Sequence, residues 1–298
     1  VSERPVVVVV GDLVTDVLVR LAEPPVPGSD ASADIAARAG GSAANLADWL
    51  ATAGADVHLV ARVGDDLYGR AHATELRDAG VAPHLAVDAR LPTGTIVVLI
   101  GADGERTMLT DRGASLAATP ADLPDALLHP GRHLHVSGYA LLDPGPRPAA
   151  LRAIARARAA GMSVSVDPSS TGPLRRVGPD RFTDWTRGAD LCLPNREEAV
   201  LLAGMPDAVS AGRVLARAYG EVAVTLGAEG ALWCRGDEIE RVPASAGSVA
   251  DTTGAGDAFG AGFLHAWLGG TPPGAALAAG TRLAARAVAQ VGARPPRP

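Results

Sequence analysis

The apolar positions of this chain fall into two rhythms. Val6–Val10 is a continuous β-branched run that stops at Gly11. A run that is apolar at every residue, rather than at alternate ones, suits a strand buried on both faces of a parallel sheet. Comparable runs recur at residues 58–62, 134–137, Ser163–Asp167, 191–194 and 222–226. Between several of them, apolar residues follow helical spacing. Residues 43–53 end at Gly54, residues 148–160 at Gly161, and residues 197–203 at Gly204. Each glycine suits the left-handed residue that closes a helix. Strand and helix in alternation predict a three-layer α/β fold with a mostly parallel central sheet and right-handed crossovers.

Two regions break this rhythm. In residues 13–38, two strand-like arms flank AEPPVPGSDAS. In residues 93–111, TGTIVVLIGADGERTMLTD, two β-rich arms surround an Ala-Asp-Gly turn, a hairpin signal. Such pieces do not easily join a parallel sheet. The expectation is a small separate sheet, a β lid over the carboxyl ends of the strands, where open α/β sheets bind ligands. The alternative is a surface excursion without a role. The sequence has no internal repeat, and its end, ARPPRP, is expected to fray.

Composition narrows the chemistry more than the fold. The 298 residues, 47% hydrophobic and 20% charged, can bury a sizeable core. We expect one domain over 1–298, with the lid as part of it. A net charge of −6 without a basic block argues against nucleic-acid binding. All 27 basic residues are arginine. Schiff-base and P-loop lysines are therefore excluded, and cationic help for a phosphate must come from arginine, a metal ion or backbone N–H groups. Cys192 and Cys234 lie in apolar surroundings and read as buried thiols of a reducing compartment. No run approaches the roughly 18 apolar residues of a membrane span. The apolar run near the start is too short for a secretion leader, so a soluble cytoplasmic protein is expected.

The segment DTTGAGDAFGAG, residues 251–262, leads from a glycine loop into a stretch with helical spacing. A helix opened by glycines exposes unpaired N–H groups and the positive end of its dipole to an anion. Packing through small residues would leave the same mark. Asp257 in the first helical turn sharpens the reading. A carboxylate beside a phosphate is unfavourable unless it has a task, and accepting the proton of an attacking hydroxyl is such a task. The N–H groups of Gly254 to Asp257 would then stabilise charge on the transferring oxygens. A second cluster, ARAGGSAANLADWL at residues 37–50, sets Gly40-Gly41 before a helix with Asn45 in its first turns. Asn45 suits ligand hydroxyls, and the glycines would let a ligand touch the backbone. Asp12 and Asp16, just beyond the first strand, can also accept from vicinal hydroxyls.

Together these segments resemble the paired signatures of the PfkB (ribokinase-like) carbohydrate kinase family. Gly40 to Gly64, with Asn45, Ala47, Gly54 and Gly64, matches the first signature, and Asp251 to Phe263 matches the second. The resemblance covers nearly the whole chain and implies a ribokinase-like fold and ATP-dependent phosphorylation of a primary hydroxyl on a small sugar. It implies Asp257 as catalytic base, with Gly254, Ala255 and Gly256 as the anion hole. Asp16, Gly41 and Asn45 would bind substrate. Asn195 and Glu198, in PNREE, would belong to the Mg²⁺ and phosphate region. Thr225, Gly227 and Gly230 would line the ATP site. Asp251 and the Thr253 carbonyl resemble a monovalent-cation site, often potassium, and some members pair their lids in a homodimer.

Several residues keep two readings. Arg112, at the end of the lid hairpin, is either a substrate or phosphate contact or a solvated surface arginine. Arg106 and Glu197 read as surface charges. His133 and His135 read as structural or rim residues, since two histidines make a poor metal site. Trp49 and Trp267 read as core. The substrate stays open among a sugar, a 2-keto-3-deoxy sugar acid, which would give Arg112 a carboxylate to bind, and a nucleoside. A nucleoside is disfavoured by 3% aromatics and lid arms that contain none. A non-catalytic ligand-binding relative is the reading from another class.

Overall fold

The computed structural model describes residues 4–101 and 106–296; the turn expected at residues 102–104 and the side chain of Arg106 lie outside that description. In chain order the strands are β1 (Val6–Val10), β2 (Val14–Leu21), β3 (Ala33–Gly40), β4 (Asp56–Gly64), β5 (Val81–Asp88), β6 (Thr93–Ile100), β7 (Arg106–Gly113), β8 (His133–Ser137), β9 (Ser163–Asp167), β10 (Leu191–Cys192), β11 (Glu221–Thr225), β12 (Ala231–Arg235) and β13 (Glu238–Val242). Nine of them form one sheet in the order β13-β12-β11-β10-β9-β8-β1-β4-β5. From β5 to β11 every pairing is parallel, and β12 and β13 extend the sheet antiparallel.

The continuous apolar run of β1 has a direct cause in the layers. Val8 and Val10 pack into a core with Leu134, Val164 and Phe182 on one face of the sheet. Val7 and Val9 pack into a second core with Trp49, Phe259 and Phe263 on the other. Helices cover both faces, so neither set of side chains can be polar. Gly54, Gly161 and Gly204 all take the left-handed conformation at or just past the helix ends, with φ of 104°, 74° and 62°. Trp49 is fully buried and Trp267 packs against the same core.

The remaining strands form a separate four-stranded sheet, β3-β2-β6-β7, with β2 and β6 parallel at its centre. Leu18, Val98 and Ile100 make its own small core on one face. Ile35 and Leu109, on the opposite face, stay 64% and 54% exposed. Asp16 precedes Leu18 by two residues and so shares the inner face.

Three features depart from the sequence reading. The sheet has an additional edge strand, β5, whose Pro83 and His84 obscure its pattern; an edge tolerates proline because one side needs no ladder donor. The antiparallel pair β12–β13 adds two strands beyond the run at 222–226, and the strand–helix rhythm does not announce them. The chain end through Arg294 is docked rather than frayed. Trp49 Nε1 donates to the Ala293 carbonyl at 2.9 Å, and the Gly292 N–H donates to Asp251 Oδ2 at 3.1 Å. Among the described residues, no helix is long and apolar enough to cross a membrane. Cys192 and Cys234 are buried free thiols, and burial pushes Cys234 up to about 11.

Candidate active site

The site collects where β1 and its parallel neighbours end. Asp12 stands just beyond β1, after Gly11, and is buried. Its Oδ1 accepts from the Ala43 N–H at 3.2 Å, at the start of the helix Ser42–Ala53. Its Oδ2 accepts from Arg112 Nη1 at 3.2 Å. Asp16, from the lid, is pushed up to about 6 by burial first and then by Asp12. Gly40 and Gly41 turn the chain against these two acids. A Cβ on Gly40 would strike the Asp16 carboxylate, and one on Gly41, whose φ is 96°, would come within 2.6 Å of the Asp12 carbonyl. The close approach of protein to protein at these glycines is a packing requirement that the sequence reading did not supply.

Gly254, at φ 75°, opens the helix Ala255–Leu268, and no side chain caps that helix start. Asp257 sits in its first turn. Its Oδ1 accepts from Ser42 Oγ at 2.8 Å and its Oδ2 from Asn45 Nδ2 at 3.0 Å. Burial pushes the carboxyl up to about 8, opposed by the Asn45 and Ser42 hydrogen bonds and reinforced by Asp167 and Asp12. The two sequence clusters thus meet at one carboxylate.

A polar cleft of ≈ 210 Å³ runs from Asp257, past Gly254–Gly256 and Thr225, to Asn195, Glu198 and Asp167. It shares Thr225, Thr252, Ala255, Gly256 and Phe259 with a larger, mainly apolar cleft of ≈ 600 Å³ lined also by Gly227, Gly230, Ala284 and Val288. An apolar pocket opening into a polar channel that ends at a carboxylate suits a nucleoside, its phosphates and an acceptor hydroxyl in that order.

Asn195 and Glu198 have a local role that spacing alone did not reveal. They form a capping box on the helix Arg196–Ala203: Glu198 N–H donates to Asn195 Oδ1 and Asn195 N–H to Glu198 Oε2, each at 2.9 Å. Glu198 is nonetheless buried, and burial and Asp167 push its carboxyl well up; burial raises Asp167 as well. A buried and a half-buried carboxylate that disfavour each other's charge, with an amide oxygen nearby, are an oxygen donor set that fits a hard divalent cation. Asp251 is committed differently, accepting from the N–H of Thr253 at 2.7 Å and of Gly292.

Arg112 is not a solvated arginine. It is 14% exposed, reaches Asp12 and, at 3.4 Å, Asp143 Oδ2, and lies 3.8 Å over the Tyr139 ring. The alternative of a surface charge fails because the lid hairpin returns its end to the sheet. His133 and His135 are core residues, bonded to Ser163 and Ser165 and pushed down to about 3 by burial. Sequence reasoning did not single out Ser42, Tyr139, Asp167 or Arg294. Asp167, the last residue of the apolar strand β9, carried a usable signal, because ligands in such sheets bind at strand ends.

A family model described as pfkB family carbohydrate kinase matches residues 5–298. The chain belongs to this family. Its sequence is 34% identical over 233 residues to a fructokinase of Klebsiella pneumoniae, covering 76% of this chain and 75% of that protein. Its fold is similar to that of adenosine kinase from Sinorhizobium meliloti, with TM-score 0.88, 28% identity and coverage of 99% and 96%. It is also similar to fructokinase from Vibrio cholerae O395 in its fructose-, ADP- and calcium-bound form, with TM-score 0.81, 28% identity and coverage of 97% and 94%. The ribokinase-like fold, with its large mostly parallel sheet and smaller second sheet, and the assignment as a PfkB-type sugar kinase follow from these likenesses.

Proposed function

We propose that this kinase transfers the γ-phosphoryl group of ATP to a primary hydroxyl of a small sugar, with Asp257 as the base. The observation that carries the reading is the position of Asp257 where the polar cleft meets the glycine-opened helix, held by Ser42 and Asn45. In this reading Asp12, Asp16, Gly41, Asn45 and Arg112 bind and orient the acceptor. The N–H groups of Gly254 to Asp257 then take charge from the transferring oxygens as Asp257 accepts the hydroxyl proton. A carboxyl held near 8 is poised to exchange a proton near neutrality. Thr225, Gly227 and Gly230 line the nucleotide pocket. Mg²⁺ with ATP would be held by Asp167, Glu198 and Asn195, and when bound would neutralise phosphate charge. A monovalent cation at Asp251 and the Thr253 carbonyl is part of the same reading. So are a cytoplasmic location, supported by two buried free thiols, and a homodimer through the exposed apolar face of the lid.

A second reading, a nucleoside as acceptor, draws on the Tyr139 ring beside Asp12 and on the likeness to adenosine kinase. A sugar acid has less support, because the Arg112 charge is already balanced by Asp12 and Asp143. ADP release from Mg-ATP with ribose, fructose, keto-deoxygluconate, adenosine and pseudouridine separates these classes. On the best acceptor, Asp257→Asn is expected to abolish turnover while nucleotide binding survives. Activity near that of the wild type would end the assignment of Asp257 as base.

A further inference from the structure

The docked chain end brings an arginine to the site. Arg294 is 9% exposed. Its Nε donates to Asn45 Oδ1 at 3.3 Å and its Nη2 to the Gly40 carbonyl at 3.0 Å. Asn45 in turn donates from Nδ2 to Asp257 Oδ2 at 3.0 Å. These contacts form one chain, Arg294 to Asn45 to Asp257. An asparagine amide has one accepting and one donating end. With Arg294 on one side and a carboxylate on the other, only one orientation satisfies both. Turned over, the amide would set N–H against guanidinium and oxygen against carboxylate.

We propose that Arg294 is a positioning residue for phosphoryl transfer: it fixes which way the Asn45 amide faces, and so keeps a donor on Asp257. The inference rests on the reading of Asp257 as base. The guanidinium does not reach the reacting atoms; it acts through Asn45 and through the Gly40 carbonyl beside Asp16. Glu75 of the helix Leu67–Asp78 lies 4.0 Å from Nη1, and the charge of Arg294 also acts on Asp16. Glu75 lies 3.9 Å from His72 Nδ1, and His72 Nε2 is 2.8 Å from Thr15 Oγ1 on β2. The same arginine therefore links the root of the lid to the Asp257 helix.

The segment does not depend on this side chain for its place. Trp49 holds the Ala293 carbonyl, and Asp251 holds the Gly292 N–H. Removing the guanidinium should leave the backbone docked, which makes the role testable.

The test compares Arg294→Ala, Arg294→Lys and Asp257→Asn with the wild type. ADP release is followed with Mg-ATP and D-fructose or D-ribose, whichever the wild type turns over faster. In parallel, the Asp257 carboxyl is titrated by carbon-13 resonance in aspartate-labelled protein, assigned by its loss in Asp257→Asn. For Arg294→Ala we expect kcat to fall about tenfold with KM for ATP within about twofold. The Asp257 titration and the acid limb of kcat should both rise by about half a pH unit, because the Asn45 donor to the carboxylate is no longer held in its orientation. The charged groups facing Asp257, Asp12 beyond β1 and Asp167 of β9, are unchanged in the variant. Arg294→Lys, which keeps the charge and a donor, should recover most of the shift.

Unchanged kcat and an unmoved titration in Arg294→Ala would overturn the proposal. So would activity lost only in proportion to a lower melting temperature, with the titration unmoved, since that is a structural role alone. Turnover surviving in Asp257→Asn would instead refute the base assignment, and the carbon-13 titration would still judge the arrangement around the carboxyl.

Discussion

Asp257→Asn should make the folded protein more stable while removing its activity, and the gain should grow with pH. In the unfolded chain an aspartate has largely lost its proton by pH 5. In the folded chain burial keeps the Asp257 proton until about pH 8. Between these values the folded state binds the extra proton, so raising the pH favours unfolding. The cost of this group is absent below the unfolded value, grows through neutrality and is complete above about pH 8. A shift from 3.8 to about 8, at about 1.4 kcal/mol per unit, bounds that cost at about 6 kcal/mol. The rise between pH 5 and pH 8 is at most about 3.5 kcal/mol. Side-chain relaxation and water entering the cleft reduce it, and we expect about 2 kcal/mol.

Asparagine fits the same space and carries no charge. It keeps an oxygen for one of the two donors, Ser42 or Asn45, and the Ser42 hydroxyl can turn to accept from its amide. The advantage of Asp257→Asn over the wild type in urea unfolding should therefore be about 2 kcal/mol larger at pH 8 than at pH 5. For 298 residues this corresponds to about 3 °C in melting temperature. Unfolding requires no substrate, so the result stands apart from any choice of sugar. A stability difference that is constant between pH 5 and pH 8, or a variant less stable than the wild type at pH 8, would refute the claim that this carboxylate is held against its solvation.

Two further predictions concern neighbouring parts of the site. A Cβ on Gly256 meets nothing within 4 Å, whereas one on Gly254, at φ 75°, comes within 2.6 Å of the Ala293 carbonyl. Gly256→Ala should keep the wild-type melting temperature and raise KM for ATP, and Gly254→Ala should lose about 2 kcal/mol of stability; equal melting temperatures in the two variants would contradict this division. Arg112→Ala leaves the buried Asp12 without its arginine. Urea unfolding at pH 7 should show a loss of about 3 kcal/mol, and a loss below about 1 kcal/mol would mean that the pair is already solvated.

The parts of this site that were legible in the sequence are those whose chemistry is written locally. A β-branched run ending at Gly11 announces a buried strand, and Asp12 follows at its carboxyl end. Glycines before an apolar helical stretch announce a helix start, and Asp257 stands in its first turn. The lid was legible because its paired β-rich arms and turn residues break the strand–helix rhythm around it. What stayed hidden depends on contacts across the chain. Ser42 and Asn45 reach Asp257 from 215 and 212 residues away, and Arg294 reaches Asn45 from 249 residues away. A serine in a helix start or an arginine between prolines and small residues has no local feature that marks such a partner. Asn195 and Glu198 show the opposite difficulty: one spacing serves a helix cap and an oxygen donor set at once.

The glycine segment carries the same double meaning, and the structure divides it residue by residue. Packing accounts for several of its small residues. A Cβ on Gly262 would come within 2.7 Å of the Ala279 carbonyl, and one on Gly280 within 2.8 Å of the Phe259 ring, where the helices Ala255–Leu268 and Pro273–Val288 cross closely. Gly254 is needed for its left-handed turn against Ala293. Only Gly256, of these, faces open space, and it lines both the polar and the apolar clefts. The close packing is what makes that opening usable. It holds the first turn rigidly against the second helix and the docked chain end, so that the N–H groups and Asp257 are placed before a ligand arrives. Loosening the helix contact at Gly280 and blocking the opening at Gly256 are thus different perturbations of one device. The first would reduce stability and the placement of Asp257 together, and the second would act on the nucleotide alone.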